Sequence, residues 1–417
     1  MARYKAHRSV FQNSFLQDEQ LQHLMQVLGG TAQYVRVVGG AVRNALRHIK
    51  VNDIDLASVH HPDEVIARAE KAGFRTAPTG IAHGTVTIIG KGVHYEVTTL
   101  REDIETDGRH AVVRFGTDWQ RDMERRDFTM NALCVDRDGV LHDLVSGLED
   151  CREGHVRFIG NAQHRIAEDA LRIFRFFRFS AHFGDGALDG PGLAAANEGV
   201  SLLSHLSAER IQTELKKTFS APRADQLSLA VKAGAAIFDA IELGVDGADY
   251  QALAKCDRSD WSMRAFILWR HRPEALQLAV RKLKFSKADC ARIDLLNEVI
   301  AFLDQCDLAD TFQVRHAVYR FGAAVIDDAL YLLSCFEQNS KHQYGVWAKP
   351  LENWQPPIFP VKAADLMQLG IQRGPDLGQS LARLEQIWIE AQFALTRDEL
   401  LSHVGLSCDK ETDNGRI

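Results

Sequence analysis

The sequence predicts an α+β protein: a small head mixing strands and helices as far as about residue 150, then a long remainder made of helices alone. Two observations carry this. Strand-like segments rich in β-branched residues, Tyr34-Val35-Arg36-Val37-Val38, Val86-Thr87-Ile88-Ile89 and Tyr95-Glu96-Val97-Thr98, fall in the first part and are punctuated by glycines. From about residue 160 onward strand signals all but vanish. Apolar residues instead recur at i, i+3 and i+4 through 166–183, 206–219, 227–241, 263–283 and 381–393. At 417 residues the chain has room for two or more domains with sizeable cores.

Taken in order, the first telling element is the strand ending at Val38, the Gly39-Gly40 turn, a short helix through Ala41-Val42-Arg43-Asn44-Ala45-Leu46, and then Asp53-Ile54-Asp55. Alternation along a strand puts Asp53 and Asp55 on one side while Ile54 and Leu56 face a core. Residues 101–123 are polar, with few apolar anchors, and are expected to form a long mobile loop. Further on, Ser207 has the character of a helix N-cap, with Leu206 and Ile211 spaced as a hydrophobic staple. The four prolines Pro350, Pro356, Pro357 and Pro360 mark 347–360 as a connector before a last helical segment.

Composition narrows the class. Hydrophobic content of 46% and charged content of 25% suit a globular protein. No run of about 18 apolar residues and no leader-like start occurs, so a cytoplasmic location without a membrane partner is expected. The seven cysteines are dispersed without a C-x-x-C pair, which fits reduced thiols and argues against a disulfide framework or structural zinc. The formal net charge of −7 does not advertise nucleic-acid binding. Phosphate attraction is local, however, and arginines cluster at Arg121, Arg125 and Arg126 and again at Arg165, Arg172, Arg175 and Arg178.

Three motifs carry chemistry. Glycines at the Gly39-Gly40 turn let backbone N–H groups approach a phosphate, and the following helix start favours negative charge. The carboxylates of Asp53 and Asp55 repel each other unless a divalent cation lies between them, and hard oxygen ligands suit Mg²⁺. Together they point to metal-assisted phosphoryl or nucleotidyl transfer. In Arg125-Arg126-Asp127-Phe128-Thr129, the adjacent guanidinium groups offer bidentate donors to a triphosphate; a solvated basic turn paired with Asp127 is the plainer alternative. On a helix, Asp169, Arg172 and Arg175 form a stripe that Arg178 continues, with Phe176 and Phe179 falling among the charges. An intrahelical Asp169–Arg172 pair would be merely structural. Exposed to a base, the same edge is an acceptor beside a donor. It matches the amino group and ring nitrogen of C or A and opposes the reversed pattern of U and G. Glu96 is a candidate third carboxylate, or a surface strand glutamate.

The motifs Gly39-Gly40-x-Val42-Arg43, Asp53-x-Asp55, Pro78-Thr79-Gly80-Ile81-Ala82-His83-Gly84-Thr85-Val86, Arg125-Arg126-Asp127-Phe128-Thr129, Glu168-Asp169-x-x-Arg172-x-x-Arg175 and Ser207-Ala208-Glu209-Arg210-Ile211 follow one another across about residues 35–220. This ordered set resembles the class II tRNA nucleotidyltransferase and bacterial poly(A) polymerase family. The resemblance implies a polymerase β-like nucleotidyltransferase head with a small mixed sheet (1–150). A helical neck that reads the base (151–220), a helical body (221–345) and a helical, tRNA-contacting tail (346–417) would follow. It implies a tRNA 3′ end as acceptor, CTP and ATP as donors, and no protein partner. Carried onto matching positions, Asp53 and Asp55 would be the catalytic Mg²⁺ ligands. Gly40, Arg43 and Arg126 would bind the nucleotide, and Asp169 and Arg172 would read its base with Arg175 and Arg178 nearby.

Two departures stand out: Asn44 replaces the acid usual after the Val-Arg pair, and no His-Asp phosphohydrolase pattern appears. The alternatives are poly(A) addition, A-only or CC-only addition, and a non-catalytic tRNA-binding relic. The poly(A) reading lacks its basic-aromatic run after the Asp pair and its basic C-terminus. The polar 101–123 loop resembles that of A-incorporating members, which disfavours CC-only addition.

Overall fold

Strand β2 (Val35–Val38) lies near the middle of an eight-stranded mixed sheet ordered β1-β10-β9-β2-β3-β6-β5-β4. Its partners are β1 (Arg3–Tyr4), β3 (Ile54–Ser58), β4 (Arg75–Gly80), β5 (Thr85–Ile89), β6 (His94–Thr99), β9 (Leu133–Val135) and β10 (Leu141–Asp143). The β3–β6 pair is parallel and the other ladders are antiparallel. The architecture comes from a computed structural model that describes residues 3–4, 11, 15–106, 111–245 and 247–404. It bears out the α+β expectation, the strands expected around 86–89 and 95–98, and the helical remainder.

Helices of the head are α1 (Glu19–Val27), α2 (Gly40–Leu46), α3 (Pro62–Lys71), α4 (Trp119–Glu124) and α5 (Leu148–Glu153). Then come α6 (Ala162–Glu168), α7 (Leu171–Phe183), α8 (Gly190–Glu198) and α9 (Ala208–Phe219), with shorter helices continuing to Pro273–Lys282. These belong to one unit, Met1–Lys287. A second unit begins at Ala288 and is helical, with its own core of Val361, Leu366, Leu384, Trp388 and Leu400. The six described cysteines are free thiols, four of them buried; Cys408 lies outside the described residues.

Four expectations need correction: 227–241 is two helices, Ala224–Ala233 and Ala235–Ala240, parted at Gly234, and three more follow. Residues 101–123 are not a loop: β7 (Arg101–Thr106) and β8 (Ala111–Phe115) form a separate antiparallel hairpin, and α4 follows. The charges in Arg101-Glu102-Asp103-Ile104-Glu105-Thr106 mask the alternation that would have marked a strand, and residues 107–110 lie outside the described ones. Gly116 N–H bonds the Leu100 carbonyl at 2.8 Å and closes the hairpin root; Asp118 caps α4 by accepting from the Gln120 and Arg121 N–H groups. Second, 166–183 is two helices, because Asp169 is extended (φ −154°, ψ 105°) and its carboxylate accepts from the Leu171 N–H as α7 starts. Third, 263–283 breaks before Pro273, which cannot continue a preceding helix but suits the first turn of the next. Ser207 occupies the N-cap position of α9 without a side-chain bond to the helix backbone.

What fixes α7 to the head is aromatic. Phe176, fully buried, lies 5.6 Å from Phe158 and 6.4 Å from Phe128 between ring centroids, and Phe128 and Phe158 face each other across an isolated β-bridge. Phe176 is therefore core and does not flank the charged stripe as its spacing suggested. Phe176→Ala is expected to destabilise this unit by about 3–5 kcal/mol, measured by denaturant unfolding.

Candidate active site

The sheet, α2 and the α7–α9 region surround a cavity of about 550 Å³. Its first wall is backbone. Gly39, between β2 and α2, has φ +66° and ψ −120°, a conformation that only glycine adopts without strain. A Cβ there would stand 3.2 Å from Arg126 Nη1, so the glycine also allows the guanidinium to approach the turn. Of the two glycines, Gly39 is the one the geometry requires; Gly40 opens α2 and lines the cavity beside it.

The acidic wall comes from β3 and β6. Asp55 pairs with Glu96 in the parallel ladder, so the two side chains stand side by side on one face. Both line the cavity. Withdrawal from water and then the Glu96 charge push the Asp55 carboxyl above the usual carboxylate range; Arg126 opposes the shift and Asp53 adds to it. Asp53 sits just before β3 and is exposed, near enough to act on Asp55 but outside the cavity lining. Among the described residues no three His, Cys, Asp or Glu side chains converge as a complete cage. Mg²⁺ does not need one, since it commonly takes one or two carboxylates and fills its shell with water and substrate phosphate. An oxygen-only pair whose crowding raises a carboxyl pKa fits such an ion.

The basic wall holds Arg126, Arg125 and Arg43. Arg43 is buried, donates to Asn131 Oδ1 at 2.6 Å and lies over the Phe183 ring at 3.9 Å. Its Nε and Nη2 both donate to Asn44 Oδ1, at 3.2 and 2.9 Å. Asn44 thus keeps a contact within α2 where the family pattern carries an acid. Burial pushes the Arg43 pKa down to about 10. Asn131 also donates to Asp127, whose carboxylate accepts from Arg175 Nε at 2.8 Å. Burial alone would raise the Asp127 carboxyl; Arg175 and these hydrogen bonds together hold it below the usual range.

The fourth wall is the base-reading candidate. Asp169, Arg172 and Arg175 all line the cavity. Asp169 and Arg172 do not pair with each other: Asp169 Oδ2 accepts from Arg210 Nη2 at 2.8 Å, while Arg172 Nη1 donates to Glu168 at 2.5 Å. The merely structural i,i+3 pair is therefore not formed, and a carboxylate and a guanidinium are held apart by separate partners. Arg178 is not brought to the cavity, since its Nε faces Glu214 of α9 at 3.0 Å. Residues beyond the sequence-based set are Gly39, Asn131 and Arg210. Gly39 and Arg210 had a signal, since both lie inside quoted motifs, whereas Asn131 lies two residues beyond the twin-arginine run.

Residues 35–157 match a family model described as "Poly A polymerase head domain". Human "CCA tRNA nucleotidyltransferase 1, mitochondrial" is 31% identical over 415 residues, covering 94% of this chain and 91% of its own length. The chain belongs to the CCA-adding tRNA nucleotidyltransferases. The CCA-adding enzyme of Lacticaseibacillus paracasei is 30% identical over 84% of this chain and 86% of its own. Two solved CCA-adding enzymes share the fold, and at these identities the likeness is of fold alone. That of Bacillus stearothermophilus in complex with CTP has a TM-score of 0.73 at 24% identity, over 93% of this chain and 98% of that one. That of Thermotoga maritima complexed with tRNA has 0.69 at 18%, over 98% and 100%. Among the described residues no helix is long and apolar enough to cross a membrane.

The crowded acids of this CCA-adding enzyme make a pH test. A neighbouring negative charge disfavours ionisation, so Glu96→Gln removes one cause that raises Asp55 and should move its titration down toward the ordinary carboxylate range. A divalent cation binds the ionised form, so its affinity should fall as pH drops through the Asp55 pKa, and the fall should begin at lower pH in the variant. NMR titration of the Asp55 carboxyl without metal reads this directly; an unchanged midpoint would mean that the two side chains do not interact.

Proposed function

We propose that this nucleotidyltransferase adds C, C and A to the 3′ end of tRNA from CTP and ATP, without a nucleic-acid template, in an Mg²⁺-dependent reaction. One observation carries the reading: a single cavity joins a carboxylate pair, a glycine turn with facing arginines, and a carboxylate and guanidinium held ready as a base-reading edge. The names of the relatives support the same acceptor and donors. The head, neck, body and tail layout expected at 1–150, 151–220, 221–345 and 346–417 belongs to this reading. So does a cytoplasmic location, although the human and mouse relatives are mitochondrial by name.

Asp55 and Glu96, paired across the ladder, would hold the cation, with Asp53 at the edge of the site. What Mg²⁺ supplies there when bound is a lower pKa for the attacking hydroxyl and neutralisation of charge on the phosphates. Arg126 and Arg43 bind the triphosphate and offset the charge that develops as pyrophosphate leaves. The Gly39-Gly40 turn lets the phosphates lie against the backbone. Asp169 accepts from the amino group of C or A, and Arg172 donates to the adjacent ring nitrogen. U and G place donor and acceptor in the reverse order and leave both groups unpaired.

The deciding measurement supplies tRNA lacking its 3′ end with CTP and ATP and reads product length. Three added nucleotides and a stop are expected. Open-ended A tails or a halt after two C residues with ATP present would refute the reading. Asp55→Ala should abolish transfer with the thermal melt and tRNA affinity of the parent kept.

Base reading has its own test. Asp169→Ala removes the acceptor for the base amino group and should cut the CTP-to-UTP ratio of kcat/KM by about ten- to hundred-fold. Arg126→Ala should weaken all four nucleotides alike, since a triphosphate contact carries no base information. A common loss for all four in Asp169→Ala would reduce its pair with Arg210 to a structural tie.

A further inference from the structure

Thr85 and Thr98 line the cavity and have no part in the reaction outlined above. Thr85 opens β5, inside the motif from Pro78 to Val86, and Thr98 lies near the end of β6. Both are half-buried. They are direct partners in the antiparallel β5–β6 ladder, and their hydroxyls meet, Oγ1 to Oγ1, at 3.0 Å. The turn before Thr85 is set by Gly84, at φ +79°, whose carbonyl accepts from the Thr99 N–H at 2.9 Å. Cross-strand threonines can serve a sheet alone. The position of this pair relative to the acids gives it a second use.

Thr98 follows Glu96 by two residues on one strand, so both side chains leave the same face, roughly 7 Å apart along β6. The ladders align Val38, Asp55, Glu96 and Thr87 in one row, and Ala57, Thr98 and Thr85 in the row two residues on. Gly39 lies past the first row at the other end, beside β3 on the β2 side. Across the sheet and along the strands alike, the acids stand between the glycine turn and the threonines. Displacement at a phosphorus places the attacking and leaving oxygens roughly in line. With pyrophosphate leaving toward the Gly39-Gly40 turn and Arg126, the attacking hydroxyl has to come from the opposite flank. Thr98 and Thr85 stand on that flank.

An RNA end that attacks through its 3′-oxygen carries a 2′-hydroxyl on the neighbouring carbon. That hydroxyl is donor and acceptor at once, and it is what separates RNA from DNA at a given site. In the threonine pair one hydroxyl donates to the other, which leaves one proton and free lone pairs for a third hydroxyl. We propose that Thr98, oriented by Thr85, binds the 2′-hydroxyl of the acceptor's last nucleotide. It thereby selects a ribose end and aligns the 3′-oxygen for attack. The inference rests on the CCA-adding reading.

The test uses the full chain and two acceptors: tRNA ending in CC, and the same tRNA with a 2′-deoxyribose at its last nucleotide. For each, kcat/KM of AMP addition is measured. The parent is expected to favour the ribose end by about tenfold, the scale of one or two neutral hydrogen bonds. Thr98→Val removes the hydroxyl and keeps a β-branched strand residue. It should lower the ribose value to about the deoxy value and leave the deoxy value unchanged, since two deletions of one contact do not add. Thr98→Ser keeps the hydroxyl and should keep the preference. An equal loss for both acceptors would make the pair structural and overturn the proposal. A preference that survives Thr98→Val, or a parent indifferent to the terminal sugar, would also overturn it. So would a loss in Thr98→Val of discrimination between ATP and dATP in place of the acceptor preference, which would assign the hydroxyl to the incoming nucleotide. Should Thr98→Val melt early, Thr98→Ala is judged by the same ratio. A parent chain that adds nothing to the ribose acceptor overturns the CCA-adding reading, and this proposal with it.

Discussion

The ion pair between Asp127 and Arg175 is the contact on which the site depends. Asp127 follows the twin arginines of the head, Arg175 stands on α7, and the pair joins these two segments within the lining of the cavity. The carboxylate is buried and receives the Arg175 guanidinium, the Asn131 amide and the Phe128 N–H. Charges so placed stabilise little in net terms, because desolvation offsets most of the attraction. Their consequence is geometric: with the Asp127 carboxylate buried, displacing α7 would take its guanidinium partner away. The aromatic cluster around Phe176 supplies non-directional adhesion at the same junction, and the ion pair fixes its register.

Around that junction the cavity sorts charge by wall. Glu96 and Asp55 crowd each other on adjacent strands, while arginines from α2, from the turn after α4 and from α7 line the same cavity. A chain with a net charge of −7 thereby presents a polyanion with a local concentration of guanidinium groups. The acids sit where a cation would offset them and the arginines where phosphates would, so each wall is completed by a different part of one substrate complex. The structure brings these groups together from segments more than 100 residues apart, which composition alone does not reveal.

Much of this was legible in the sequence, and the misses have physical causes. The glycine turn, the Asp-x-Asp strand and the twin arginines are local motifs whose chemistry follows from spacing, and all of them reach or border the cavity. The hairpin was misread because Arg101, Glu102, Asp103 and Glu105 interrupt the apolar–polar alternation that marks a strand in sequence. The break at Asp169 was missed because helical periodicity continues on both sides of a single extended residue. Arg178 follows the stripe on a helical wheel, but a wheel does not contain α9, whose Glu214 takes it. The Asp169–Arg210 and Arg172–Glu168 pairs were hidden for the same reason: which neighbour holds a side chain is a tertiary fact.

Asn44 shows how a departure from a family pattern can keep the geometry and change the field. An acid following Arg43 would accept its Nε and Nη2 donors and cancel its charge. The Asn44 amide oxygen accepts both donors and leaves the charge standing. The other hydrogen-bond partner of that guanidinium, Asn131 Oδ1, is also neutral, and the Phe183 ring covers it. Burial without a carboxylate partner is what lowers the Arg43 pKa to about 10, still well above neutrality, so the group remains a cation in a poorly screened setting. Distant Asp127 gives only partial relief. A phosphate arriving at the Gly39-Gly40 turn therefore meets a guanidinium that is already desolvated, oriented and short of negative charge, and little reorganisation is left for the binding step.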